Sequence, residues 1–390
     1  VLSYLDSSFK SKSERRGLKE VSMNQKEKQM DTYRRTFENN SVGILKDKLW
    51  KMSDREIDEI LKEYEIPSLG EREKPGCYIQ NTNRAEIVET RRKNDIVLIP
   101  VGSTENHGVH TVSGFDTLLA TRISEALRRK TKKLGRPIHI ASPIEYGVHP
   151  PWHQGMFGTV MVSDDAFEQT IMHIMYGLWN DGFRKQIFLN NHAQQNEIEK
   201  AVKRFMNTYQ LPGFYLALEW HRAVREFFET KEKGGPFETV FIHADEQETS
   251  LGLLMFPEMV DMRKAVDTGR LSGFRYLPDG HIDNSVEGFG RPSTYKQRAG
   301  DNPLELVATP EGVVGKSTLA AASKARRPVA AICQYLFLLE EQILETWPAG
   351  TVPEPEKITF RTNKEMEPYL KEPGSPGWKS VYSLPRIGPY

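Results

Sequence analysis

The chain reads as an α/β protein: a mostly parallel central sheet with helices on both faces, plus a helical amino-terminal extension. Two observations carry this. From residue 85 onward, short β-rich apolar runs alternate with amphipathic helical stretches, the order expected of crossover-connected parallel strands. Residues 1–70 lack that alternation and are dominated by Lys, Arg, Glu and Asp, with apolar residues at loose helical spacing.

The elements follow in order. In the extension, Ser53-Asp54 before "REIDEILKEY" marks a helix start, with Pro67 and Gly70 as stops. "DIVLIPVG" is the first strand, and "TLLATRISEALRRKTKKLG" an amphipathic helix ending in a basic turn and glycine. "IHIASPIEYG", "KQIFLNNH" and "FYLALEWH" are three further strands, with "DDAFEQTIMHIMYGLWNDG" and "QNEIEKAVKRFMNTYQ" as the helices between them. A helix from about Glu246 opens "EQETSLGLLMFP"; residues 262–316 read as long loops, and "STLAAASKARRPVAAICQYLFLLEEQILE" as a long helix. The expected organisation is an extension at 1–85, a main domain at 86–347 and a Pro- and aromatic-rich tail at 348–390, wrapped over the surface or a neighbouring subunit.

Composition excludes several classes. The 390 residues carry 53 basic and 53 acidic side chains, so no strong field favours nucleic acid or an anionic membrane. The basic patch at 10–19 reads as a solvated or subunit-packing helix rather than a site for an acidic partner, and acidic residues interleaved through 1–30 argue against a nucleic-acid role. No apolar run approaches the roughly 20 residues that span a bilayer, and no signal-peptide core opens the chain. Two cysteines, Cys77 and Cys333, argue against a disulfide scaffold and fit a reducing cytoplasm.

Polar groups able to bind metal or move protons gather where the strands end. Glu105 and His107 follow the first strand, His149 and His153 the second, His192 the third, and His221 ends the fourth. Ligands of such sheets sit at the carboxyl ends of strands. In an extended segment Glu105 and His107 would face the same side, about 6–7 Å apart at the backbone. That suits ligands of two adjacent ions held about 3.5–4 Å apart. Asp116 offers a carboxylate able to bridge them, and His192 an imidazole from another strand end. A mixed carboxylate–imidazole shell suits zinc or manganese better than magnesium. His139 and His173, within a strand and a helix, are assigned to structure; His281, in a loop, is left unassigned.

"IPVGSTENHGVHTVSGFDTLLA" resembles the opening signature of the creatininase (creatinine amidohydrolase) family, Pro-x-Gly-Ser-x-Glu-x-His-Gly-x-His followed by an aspartate. "HQGMFGTV", "NNHAQQN", "HADEQETSLGLLMFPEMVDM" and "GVVGKSTLA" agree in order, so the resemblance covers roughly residues 90–335. It implies Glu105 on one ion and His107 on the other, Asp116 bridging, and His192 joining the ion of Glu105. Creatininase completes the shell with a glutamate two residues after that histidine; this chain has Gln194 there. Glu248 is the candidate for the missing carboxylate, and His243 matches a histidine that handles protons or substrate.

The resemblance implies acidic groups just before the His243 position in creatininase; this chain has "ETVFI" there, with no acid adjacent to His243, a departure that argues against creatinine as substrate. The long extension and the polar "HPPWH" and "NNHAQQN" loops suggest instead the branch of 3-dehydro-scyllo-inosose hydrolases, which open oxidised inositol rings. The expected enzyme is therefore a hydrolase with two divalent ions (Zn2+, Mn2+ or both). A metal-activated water would attack a carbonyl of a small polar cyclic substrate, breaking a C–C bond. His243 would donate the proton to the leaving group, with Glu248 also in a catalytic role. His153, Trp152, Gln194, His149 and His221 are read as substrate contacts, and His110 as a group orienting a ligand. An amidohydrolase of cyclic or linear amides is the alternative, and a lapsed small-molecule-binding protein the third reading. The resemblance also implies a homo-oligomer, in the family a ring-like hexamer.

Overall fold

The structure is a computed structural model that describes residues 37–149, 156–268 and 311–388. The basic patch at 10–19, Trp152, His153, His281 and most of the expected 262–316 loops lie outside them. The chain divides between Lys48 and Leu49 into two compact units. In the first, Asn40 Oδ1 accepts from the Gly43 amide at the start of α1 (Ser41–Lys51). The second holds the sheet.

Helix α2 (Asp54–Glu63) begins where the sequence marks it, because Ser53 and Glu56 form a reciprocal capping box. Its apolar stripe, Ile57 and Leu61, is buried. Beyond its end, Tyr64 Oη donates to the Cys333 carbonyl at 3.2 Å, tying the segment to the long helix described below. After α3 (Arg84–Arg91), strands β1 (Ile96–Val101), β2 (His139–Ile140), β3 (Lys185–Asn190) and β4 (Phe214–Glu219) form one all-parallel sheet in the order β2-β1-β3-β4. Every residue of β1 and β3 is buried, as in a sheet covered on both faces.

Val97, Ile99 and Val101 point to one face, where α5 (Asp164–Asn180) and α6 (Gln195–Tyr209) supply Phe167, Ile171, Met175, Trp179, Ile198 and Phe205 to a shared core. Helix α4 (Phe115–Lys133) packs on β1 from the other side, backed, after the short α7 (Trp220–Ala223) that follows β4, by α8 (Glu246–Met255) and α9 (Ala322–Thr346). Residues 348–388, with short helices α10 (Pro355–Ile358) and α11 (Asn363–Leu370), bury Met366, Tyr369, Val381 and Leu384 in the core shared with α5 and α6. Arg184 fastens that segment through the Tyr369 and Leu370 carbonyls.

Two elements differ from expectation. The second strand pairs only at His139–Ile140; Pro143 has no amide to give a ladder, and the rest touches β1 through an isolated bridge between Val101 and Ile144. The last long helix starts at Ala322 rather than Ser317, because Ser317 and Thr318 turn aside to bond Val266 and Asp267. Both sites leave the central arrangement intact. With β2 on one side of β1 and β3 on the other, the connection reverses at their carboxyl ends, the place where open α/β sheets hold ligands.

Candidate metal centre

Four local structures bring the polar residues to that crevice. Gly102 ends β1 so close to the first turn of α4 that a Cβ there would lie 2.3 Å from the Thr117 amide nitrogen. Only glycine permits the approach, and the approach sets Asp116, in the first turn of α4, beside the strand tip. A carboxylate there also meets the positive end of the helix. The loop after β1 is held by Glu105 N donating to Ser113 O at 2.9 Å and Asn106 N to Thr159 Oγ1 at 3.0 Å. After β3, His192 N donates to Asn190 Oδ1 at 3.1 Å. At α8, the Asp245 carboxylate caps the helix by accepting from the Gln247 and Glu248 amides at 2.8 and 3.1 Å. Ala244 sits at φ 45°, left-handed for a residue with a Cβ. That turn separates His243, bridged to Val314, from Glu248 on the helix.

Three buried carboxylates and four imidazoles result. His192 Nδ1 lies 3.0 Å from Glu105 Oε2 and 3.2 Å from Asp116 Oδ2. His107 Nε2 lies 3.5 Å from Asp116 Oδ1 and 3.7 Å from Glu248 Oε2. His149 Nδ1 is 3.8 Å from Glu105 Oε1, and His243 Nδ1 is 3.9 Å from both Glu105 Oε1 and Glu248 Oε2. Asp116 thus turns one oxygen to each half. The Glu105–His149–His192, Glu105–His107–His243 and His107–Asp116–Glu248 donor sets each gather their atoms within 4.8 Å.

The outer nitrogens explain why the inner ones face acids. His192 Nε2 is 3.0 Å from the Val148 carbonyl, His107 Nδ1 3.1 Å from the Glu105 carbonyl, and His243 Nε2 2.6 Å from the Asn106 carbonyl. A carbonyl only accepts, so each of these rings donates outward and, when neutral, aims a lone pair inward. His149 Nε2 has the Ser103 hydroxyl at 2.5 Å. Phe115 stacks on His107 at 4.8 Å and fixes that ring from behind. Lone pairs facing carboxylates repel unless a cation lies between them.

The spacing says which cation fits. Separations of 3.5–3.9 Å are too long for hydrogen bonds. They suit two ligands of one ion with bonds of about 2.1 Å, whose donors stand at most about 4.2 Å apart. Asp116 Oδ2 is moreover buried without a hydrogen bond, an orphan of the kind a metal satisfies. The set of donors therefore fits divalent ions.

Without ions, protons take their place. Burial pushes the His107 imidazole down, but the charges of Asp116 and Glu248 outweigh it and hold it at about 10. His192 is likewise held well above its usual value against burial, chiefly by Glu105 and Asp116. Burial raises Asp116, yet His107 and His192 keep it well below the usual carboxylate range. Glu248 goes the other way: burial, reinforced by Asp245 and Asp116 against the pull of His107, lifts it to about 8.

Of the residues singled out from sequence, Glu105, His107, Asp116, His149, His192, His243 and Glu248 meet here. Gln194 does not. Its Oε1 accepts from Val148 N at 3.1 Å and its Nε2 donates to Gly102 O at 3.0 Å, so both ends of the amide are spent on backbone. His221 lies apart from the donor sets: its Nε2 is 2.7 Å from Glu219 Oε1 and its ring stacks on Phe241. His110 meets Thr249 Oγ1 at 2.8 Å, and burial lowers it to about 4. His139 bonds Thr90 and is structural. Sequence reasoning missed Asn191, which donates to Asp116 Oδ1 at 2.8 Å and accepts from the Trp220 indole. It missed Ser103 and Asn106 as well. The only signal was their position between the chosen residues in "GSTENH" and "NNH".

The "Creatininase: Creatinine amidohydrolase" family model matches residues 80–339. A 3-dehydro-scyllo-inosose hydrolase of Thermotoga maritima is 45% identical over 308 residues, covering 79% of this chain and 96% of that protein. Among solved structures, one described as "Creatininase Mn" superposes with a TM-score of 0.52 at 18% identity, and one described as a mutant creatininase of "Zn-Zn type" with 0.51 at 18%. Each covers 70% of this chain and 98% of its own. With a family model over two thirds of its length and a relative this similar along most of it, the chain belongs to the creatininase family.

Proposed function

We propose that this protein is a hydrolase using two divalent ions, zinc or manganese, to open an oxidised inositol ring of the 3-dehydro-scyllo-inosose type. The observation that carries the reading is the Asp116 carboxylate, with one oxygen toward His107 and the other toward His192 and Glu105. The substrate class rests on the similarity to the Thermotoga maritima hydrolase, whose match spans nearly all of that protein.

Glu105, Asp116 and His192 would hold one ion, and His107, Asp116 and Glu248 the other. Bound divalent ions lower the pKa of water from near 16 toward about 7 and polarise a carbonyl. The protein's residues do the rest. Asn191, braced by Trp220, fixes the Asp116 carboxylate, and Phe115 fixes the plane of His107. In a ring carrying two carbonyls on either side of one carbon, water oxygen bonds to one carbonyl carbon. The C–C bond between that carbon and the central one then breaks. The electron pair stays on the central carbon, stabilised by the second carbonyl, and a proton is delivered there. His243, the least buried imidazole of the cluster and anchored through Nε2 to Asn106 O, is the donor at the rim. The product is one open-chain acid.

Protein loaded with manganese or zinc is tested on 3-dehydro-scyllo-inosose and on creatinine. The reading expects acid formation from the first without release of nitrogen. Turnover of creatinine alone would replace it with the amidohydrolase reading, and turnover of neither by protein holding two ions would sink it. An assembly of several copies is expected of the family; sedimentation of the purified protein checks it.

A further inference from the structure

We propose that His149 is a protein ligand of the ion held by Glu105 and His192, which gives that ion four side chains where the His107 ion has three. The proposal rests on the two-ion reading above. Its starting point is an inequality of distances. His149 Nδ1 stands 3.8 Å from Glu105 Oε1, beyond hydrogen-bonding range yet within the separation of two donors sharing an ion. One nitrogen each of His149 and His192 and a Glu105 oxygen lie within 4.8 Å of one another, and the two ring centroids are 4.5 Å apart, tilted by 56°.

The rest of the ring is built for the task. Its side chain is fully buried, and Nε2 meets the buried Ser103 hydroxyl at 2.5 Å, the outward partner that ligating histidines use to fix ring and tautomer. The backbone carrying it is clamped twice. Val148 N donates to Gln194 Oε1 at 3.1 Å, and Val148 O lies 3.0 Å from His192 Nε2, so the peptide preceding His149 is bonded to an imidazole of the cluster itself. Gly147 gives the clamp room, for a Cβ there would lie 2.4 Å from Gln194 Oε1.

Gln194 also explains the departure from the family signature. Its Nε2 donates to the Gly102 carbonyl at 3.0 Å and toward Asn190 Oδ1 at 3.4 Å, joining the loops after β1, β2 and β3. A glutamate there would set an anion against both acceptors. The amide thus supplies no ligand; it draws the β2 loop inward and places an imidazole at the neighbouring ion.

The test uses full-length protein stripped with a chelator, then titrated with zinc against a competing chelator and with cobalt followed by visible absorption. The parent is expected to take up two ions. His149→Ala should keep one near parental affinity and weaken the other by more than about 100-fold, exceeding the 10–100-fold typical of losing an outer partner. Its cobalt band should change in intensity, since one nitrogen donor is gone. Gln194→Glu is the second variant: it keeps His149 but breaks the clamp, and should weaken the same ion. Should His149→Ala bind saturating cobalt with the parental spectrum, His149 is not a ligand and the proposal fails. A parent that binds no ion overturns the two-ion reading, and this proposal with it.

Discussion

The two ends of the sheet bury charge in opposite ways. At the amino ends of β1 and β3, Lys185 Nζ donates to Asp95 Oδ1 at 2.6 Å and to Pro348 O at 3.2 Å, while Asp95 Oδ2 accepts from Gly350 N at 3.0 Å. Every contact is a hydrogen bond of ordinary length, and the two opposite charges satisfy one another. At the carboxyl ends, three carboxylates face imidazole nitrogens mostly at 3.5–3.9 Å, with Asp116 Oδ2 orphaned. Buried charge that closes on itself is scaffold; buried charge that stops one bond short calls for a cation.

Substitutions should therefore fail differently at the two ends. The largest effect belongs to Asp116→Ala, which removes the shared carboxylate. Turnover should fall by more than the ~10²–10⁴ that a lone proton-transfer group contributes, with metal content dropping in parallel. Retention of two ions by this variant would contradict the bridging role. His243→Ala should lose about 10²–10⁴ in kcat while both ions stay bound, as metal analysis beside steady-state kinetics would register. Lys185→Ala should leave metal content intact and instead cost about 3–5 kcal/mol in urea unfolding, since Asp95 is left buried and unpaired.

The smallest effect concerns pH. In chelated protein His107 is raised from 6.5 to about 10 and Glu248 from 4.5 to about 8. Groups with raised folded pKa values bind more protons folded than unfolded, so their stabilisation is lost as pH climbs through those values. The Tm of chelated protein should fall from about pH 4.5, most steeply between about 6.5 and 8 where both groups contribute, and level off near pH 10. Loaded protein, with ions where the protons were, should gain on it over the same range. Parallel curves would mean that protons and metals do not compete for this cluster.

Much of this was legible in the sequence, for a physical reason. Strands announce themselves by composition, so "DIVLIPVG" and "KQIFLNNH" located β1 and β3, and the residues just past them, Glu105, His107 and His192, were fixed by a few bonds of chain. Asp116 was reachable because a helix start follows at short range. Side chains farther along a loop were not legible. Nothing periodic distinguishes His149, which meets the cluster, from His221, which turns to Glu219. Glu248 emerged only through family likeness, because its approach depends on the left-handed turn at Ala244. Gln194 stands where the family signature has a ligating glutamate, whereas its amide is consumed by three loops that no one-dimensional pattern brings together.

The most direct measurement is anomalous diffraction from crystals of the protein soaked in manganese or zinc. Two peaks about 3.5–4 Å apart, one on each side of the Asp116 carboxylate, are the expected result. A single peak, or none between His107 and His192, would contradict the two-ion centre.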